Sequence, residues 1–136
     1  LTAIVIDASA CLAWVLPSQR TGAAMAFLQR ISDETFLAPF IFQWETQNVL
    51  LRLRRTQMLT ETEYVEATVA LTDYHIALGE PFSADRLEPL ARRERLSLFD
   101  TAYLALAIEE GVSLASRDRD LLAAAEHIGI ETWDLR

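Results

Sequence analysis

The apolar positions of this chain change period along its length, and the changes mark out its elements. Ile4-Val5-Ile6 is an unbroken β-branched run, the pattern of a strand buried on both faces. A strand is predicted over 3–6 and a helix over about 8–16, then Pro17 and a second helix over about 20–31. "TFLAP" (35–39) reads as a short strand, followed by a helix from about 40 to 56. Thr60 with Glu63 three residues later is a capping box that opens another helix. Gly79 and Pro81 interrupt the pattern around a possible strand at 76–79. Helices are predicted at about 84–95 and 98–110, a strand at "VSLAS" (112–116), a helix at 119–127 and a last strand at "IETWD" (130–134).

Short apolar strands alternating with helices imply right-handed crossovers and a parallel sheet. The expected fold is α/β, with a short parallel sheet of about four or five strands covered by helices, and 1–136 forming one domain. Ligands of such open sheets bind beyond the carboxyl ends of the strands. Asp7 and Asp118 both fall at such ends. No apolar run approaches the ~18 residues of a membrane span. The single Cys excludes an intramolecular disulfide framework and suits a reducing cytoplasm.

Charge complicates the choice of partner. The net charge is −8, from 20 acidic and 12 basic residues, and every basic residue is Arg. Such a balance argues against broad electrostatic attraction to nucleic acid. It leaves room for a local rim, because Arg makes bidentate contacts to phosphate. Arg52, Arg117 and Arg119 are the candidates, against the plainer reading that each cluster is a solvated helix face.

Four carboxylates invite a chemical reading. Asp7 ends the first strand, where an ionised side chain is costly unless paired; it either caps the next helix or holds a cation. Glu45 lies within "FIFQWETQNVLLRL", with Ile41 and Val49 about 40° to either side of it around the helix. It either belongs to a site or pairs with Arg52, which with Asn48 shares its sector. Asp100 forms a capping-box-like pair with Ser97, yet faces the packed side with Leu104 and Ala107 while Glu109 projects opposite. Asp118 either caps the helix that follows or joins the others. Ser9 and Ser116 could each hydrogen-bond a neighbouring carboxylate, or be plain helix caps.

Competing chemistry is thin. His75 and His127 lack partners at ligand spacing, Cys11 has no base beside it, and there is no phosphate-binding glycine loop. Converging carboxylates repel unless protonated or neutralised by a cation. An all-oxygen set selects Mg²⁺, with Mn²⁺ possible, and points to hydrolysis of phosphate esters.

"IVIDAS", the "WETQNVL" helix, "LFDTAYLALA" and "LASRDRDLL" together resemble the motif series of the PIN-domain ribonucleases, and within them the VapC-type toxins of bacterial toxin–antitoxin pairs. The resemblance covers nearly the whole chain in the family's order. It implies a Rossmann-like three-layer fold and Mg²⁺-dependent endonucleolytic cleavage of RNA in the cytoplasm. It also implies a homodimer and inhibition by a small cognate antitoxin. Carried over position by position, it puts the catalytic and metal-binding acids at Asp7, Glu45, Asp100 and Asp118. The supporting hydroxyls fall at Ser9 and at Ser116, where Thr is also common. Leu12, Trp14 and Leu16 become candidates to line an antitoxin groove, against ordinary core packing. A phosphatase would want a second Asp where Ser9 stands, and a phosphate-accepting receiver domain would want a Lys. A non-catalytic PIN-like binding module would have no need of all four acids.

Overall fold

Residues 3–6 become the central strand, β1 (Ala3–Ile6), of an all-parallel five-stranded sheet. This is a computed structural model that describes residues 3–31 and 33–136. On one side of β1 lie β2 (Thr35–Ala38) and then β3 (Ala77–Leu78); on the other lie β4 (Ser113–Ser116) and then β5 (Thr132–Asp134). Successive residues of a strand point to opposite faces. Val5 and Ile6 are both fully buried, as are Leu114 and Ala115, so the sheet is covered on both sides.

Helices supply that cover: α1 (Ala8–Val15), α2 (Gly22–Arg30), α3 (Phe42–Arg55), α4 (Glu61–Asp73), α5 (Ala84–Glu94), α6 (Leu98–Glu110) and α7 (Arg119–His127). The capping box of Thr60 and Glu63 is present in both directions at the start of α4. The second helix starts at Gly22, later than the expected 20, because a 3₁₀ turn over Pro17–Gln19 intervenes and Thr21 is the cap. The Thr21 hydroxyl accepts from Ala24 N–H and donates to the Leu135 carbonyl, which ties the start of α2 to the chain's end. Gly111, with φ +66, ends α6 in the left-handed conformation and turns the chain into β4. Among the described residues no helix is long and apolar enough to cross a membrane.

The strand order fixes where a site can form. The chain extends the sheet outward from β1 through β2 to β3, then returns to build β4 and β5 on the other side. The reversal opens a crevice between the carboxyl ends of β1 and β4, the usual ligand position in such sheets. Asp7 leaves β1 there, its N–H still donating to the Ala115 carbonyl at 3.2 Å. Ser116 ends β4 on the facing side.

Candidate active site

Asp7 both caps a helix and takes a hydrogen bond from across the crevice. It is the N-cap of α1, and one carboxylate oxygen accepts from Ala10 N–H at 2.9 Å and from the Ser9 hydroxyl at 2.7 Å. The other oxygen accepts from the Ser116 hydroxyl across the crevice. Ser116 in turn accepts from Asp118 N–H at 2.8 Å, and Ser9 accepts from Arg117 N–H at 3.0 Å. The two predicted hydroxyls therefore serve one carboxylate and lock β1 to the segment after β4. Burial pushes the Asp7 carboxyl up to about 6, with Asp118 adding repulsion, even though its three hydrogen bonds pull the other way.

The other acids enter from neighbouring elements. Asp118 caps α7 by accepting from Leu121 N–H at 2.9 Å. Asp100 lies in the first turn of α6, where its N–H donates to Ser97 Oγ at 3.1 Å. Three helix N-termini thus bring acids to one place, and their partial positive charge favours anions. Glu45, on α3, accepts from the buried Tyr103 hydroxyl at 2.6 Å. Burial, then the Glu45 charge, pushes the Tyr103 phenol well above its ordinary range, so it stays a donor. Burial raises Asp100, helped by repulsion from Asp118 and Asp120. It also raises Glu45, helped by repulsion from Asp100.

The four acids form a chain of repulsions, Asp7 to Asp118 to Asp100 to Glu45, rather than one cage. Among the described residues no three acidic, imidazole or thiol side chains stand close enough together to enclose a metal ion. Each acid except Asp100 spends an oxygen on a cap or a hydroxyl. None of the four is ion-paired to Arg or His among the described residues. Unpaired, mutually repelling carboxylates call for outside positive charge. Mg²⁺ fits that demand, because it keeps several waters and needs only one or two carboxylates beside substrate phosphates.

A groove of about 520 Å³ runs past this acidic end, lined by Ser9, Leu12, Gln19, Glu45, Asn48, Arg52 and Phe99 among others. Arg52 is exposed and makes no ion pair with Glu45, so the salt-bridge alternative falls. Seven residues put them about 10 Å apart along the axis, beyond the one-turn spacing at which helical pairs usually meet. Arg117 donates to Gln19 Oε1 at 3.4 Å, and its buried Nε has no hydrogen-bond partner among the described residues. Arg119 is engaged with Asp120 at the surface. Cys11 is fully buried, and desolvation pushes its thiol up to about 12, so it offers no nucleophile. His127 pairs with Glu94 at 3.0 Å, away from these acids.

The PIN-domain sequence profile matches residues 4–127, a span that includes all four acids and both hydroxyls. The chain belongs to the PIN-domain family. Among curated proteins none matches it in sequence. Solved structures share its fold. PAE2754 from Pyrobaculum aerophilum superposes with a TM-score of 0.71 at 20% identity, over 96% of this chain and 83% of that one. VapBC2 from Rickettsia felis, bound to a DNA fragment from its promoter, gives 0.68 at 15% identity over 98% and 100%. The sarcin–ricin-loop-cleaving toxin VapC20 of Mycobacterium tuberculosis gives 0.59 at 20% identity over 89% and 94%.

In this PIN domain the expected antitoxin-groove set is largely core. Trp14 is 3% exposed, packs with Phe27, Phe36 and Tyr74, and donates its indole N–H to the Ala24 carbonyl. Leu16 is buried with Val15 and Leu50. Of the three only Leu12 borders the groove. α1 is buried along almost its whole length, so it has no polar face from which its outward side could be read. Sequence reasoning also missed the Tyr103 hydroxyl beside Glu45, and Gln19 and the 59% exposed Phe99 on the groove wall.

Proposed function

We propose that this PIN domain is a divalent-metal-dependent endoribonuclease that hydrolyses RNA phosphodiester bonds in the cytoplasm. It acts as the toxin of a toxin–antitoxin pair. The observation that carries this reading is the set of four coupled, unpaired carboxylates at the switch point of the sheet. Asp7, Glu45, Asp100 and Asp118 are the set from which Mg²⁺ or Mn²⁺ would be held, one or two neighbouring carboxylates to an ion, with water and substrate phosphate completing the shell. Bound there, such an ion supplies activation of a water and neutralises charge on the phosphoryl oxygens. Ser9 and Ser116 hold the Asp7 carboxylate in one orientation through the hydrogen bonds described above. With no side-chain nucleophile available, water attacks phosphorus and the bond to the 3′ oxygen breaks. That oxygen leaves as a hydroxyl and the phosphate stays on the 5′ side of the downstream fragment.

The structural neighbours support the biological role. VapC20 is a toxin that cleaves the sarcin–ricin loop, and VapBC2 and FitAB are each bound to a DNA fragment, that of VapBC2 from its promoter. A net charge of −8 suits a small antitoxin with a basic segment. The exposed apolar side chains of Trp44, Leu98 and Phe99 form a face of the kind that assemblies cover, and a second copy of the chain is the proposed cover.

Cleavage is expected to require Mg²⁺ or Mn²⁺ and to stop in EDTA. A map of cuts in total RNA, comparing wild type with Asp7→Asn, should show wild-type-specific ends carrying 5′-phosphate and 3′-hydroxyl. A 2′,3′-cyclic phosphate among the primary products would assign the attack to the ribose 2′-hydroxyl and overturn the mechanism.

Arg52 is the rim residue best placed to contact a phosphate beside the one being cut. Arg52→Ala should weaken RNA binding and reduce the slope of log affinity against log salt by about 0.7, the share of one single-strand phosphate. Mn²⁺ affinity should be unchanged. Filter binding across a salt series measures the slope, and an unaltered slope removes Arg52 from the interface.

A further inference from the structure

Tyr103 has the largest side chain among the fully buried residues, at 1% exposure, and sits one turn after Asp100 in α6. A phenol in a packed core is held by its ring and carries a polar end that needs a partner. That end donates to Glu45 Oε1 at 2.6 Å, from a position 58 residues away in sequence. One hydroxyl therefore joins α3 to α6, the two elements that carry Glu45 and Asp100.

Glu45 makes no other side-chain hydrogen bond among the described residues and is half-buried on its helix. A glutamate in that setting has rotamer freedom that must be removed before it can serve a reacting group. We infer that Tyr103 is a positioning residue for Glu45: the core fixes its ring, and its hydroxyl fixes the carboxylate beside Asp100. This rests on the ribonuclease reading above. Partners that orient metal-binding carboxylates typically change affinity or activity by about 10–100-fold when removed.

The test uses the full chain as wild type, Tyr103→Phe, Glu45→Gln and the double variant. Electron paramagnetic resonance of free Mn²⁺ measures affinity, RNA cleavage gives kcat and KM, and melts in EDTA report folding. Tyr103→Phe keeps the ring and should leave the EDTA melt nearly unchanged. It is expected to weaken Mn²⁺ binding and to lower kcat, each by about 10-fold or more, with KM for RNA little altered. In the Glu45→Gln background the same change should move neither quantity by more than about twofold. Tyr103→Met, which also lacks the hydroxyl and packs adaptably, should show the same dependence on the Glu45 background and keeps the test open if the phenylalanine variant folds poorly. Equal losses in both backgrounds, or a Mn²⁺-binding wild type indifferent to Tyr103→Phe, would overturn the inference alone. A wild type that binds no Mn²⁺ and cuts no RNA would overturn the ribonuclease reading itself, and this inference with it.

Discussion

Asp100→Asn is expected to slow RNA cleavage by about two to four powers of ten, the scale on which one essential charged group acts. Glu109→Gln, in the same helix, should leave the rate nearly unchanged. The contrast follows from where α6 points its acids. Asp100, in the first turn, is raised by burial and by repulsion from Asp118, and its own charge repels Glu45. Glu109 is nine residues on, about 180° around the helix, where it is paired with Arg86 at the surface. Asparagine keeps the shape of Asp100 and the backbone contact to Ser97, so a loss measures the missing charge. Single-turnover cleavage of one defined RNA in saturating Mg²⁺ gives both rates. Comparable losses at the two positions would mean that the reacting face of α6 has been misassigned.

Asp100, Glu45 and Asp118 were legible as candidates because the relevant constraints are local. The predicted elements match the strands and helices to within a few residues because the strands are short apolar runs and their helices carry Thr60, Ser97 and Asp118 as caps. Helical phase placed Asp100 and Glu109 on opposite sides, and their surroundings differ as that phase requires. The place of Asp7 at the carboxyl end of a doubly buried strand follows from the sequence, and the parallel sheet puts that end at the crevice.

Tertiary partners were not legible. The Ser116 hydroxyl serves Asp7, 109 residues away, and not the adjacent Asp118, whose N–H donates to it instead. Tyr103 reads as a packed apolar position on a helical wheel, which carries no information about where a phenol oxygen ends. Glu45 and Arg52 share a sector of α3 and so looked like a pair. Projection down a helix hides separation along the axis, and the structure leaves them unpaired. The family resemblance offers Trp14 to an antitoxin groove, and α1, nearly all apolar, has no polar face to argue against it. Without polar positions the sequence does not distinguish the face turned to the sheet from the face turned to α3 and α4.

Asp7→Asn should cost activity on the scale of Asp100→Asn yet stabilise the metal-free protein. The folded Asp7 carboxyl is raised from 3.8 to about 6, chiefly by burial. A raised carboxyl binds its proton more tightly in the fold than in the unfolded chain. Its contribution is therefore fully present below about pH 4 and is lost as pH climbs to about 6. Two units correspond to about 3 kcal/mol against the fold at neutral pH. An asparagine recovers only part of this, because its amide nitrogen cannot accept the Ser116 hydroxyl as the carboxylate does. A net gain of about 1 kcal/mol, or about 4 °C in Tm, is expected at pH 7 in EDTA. Between pH 4 and 6 the wild type should lose stability that the variant keeps. In Mg²⁺ at 100 times its dissociation constant the wild type gains about 2.7 kcal/mol, and the order of the two proteins should reverse. A residue that only capped α1 would behave otherwise, since asparagine caps about as well as aspartate. Melts of both proteins at pH 4, 6 and 7, with EDTA and with Mg²⁺, separate the cases. A Tm difference that ignores both pH and metal would leave Asp7 as a helix cap and nothing more.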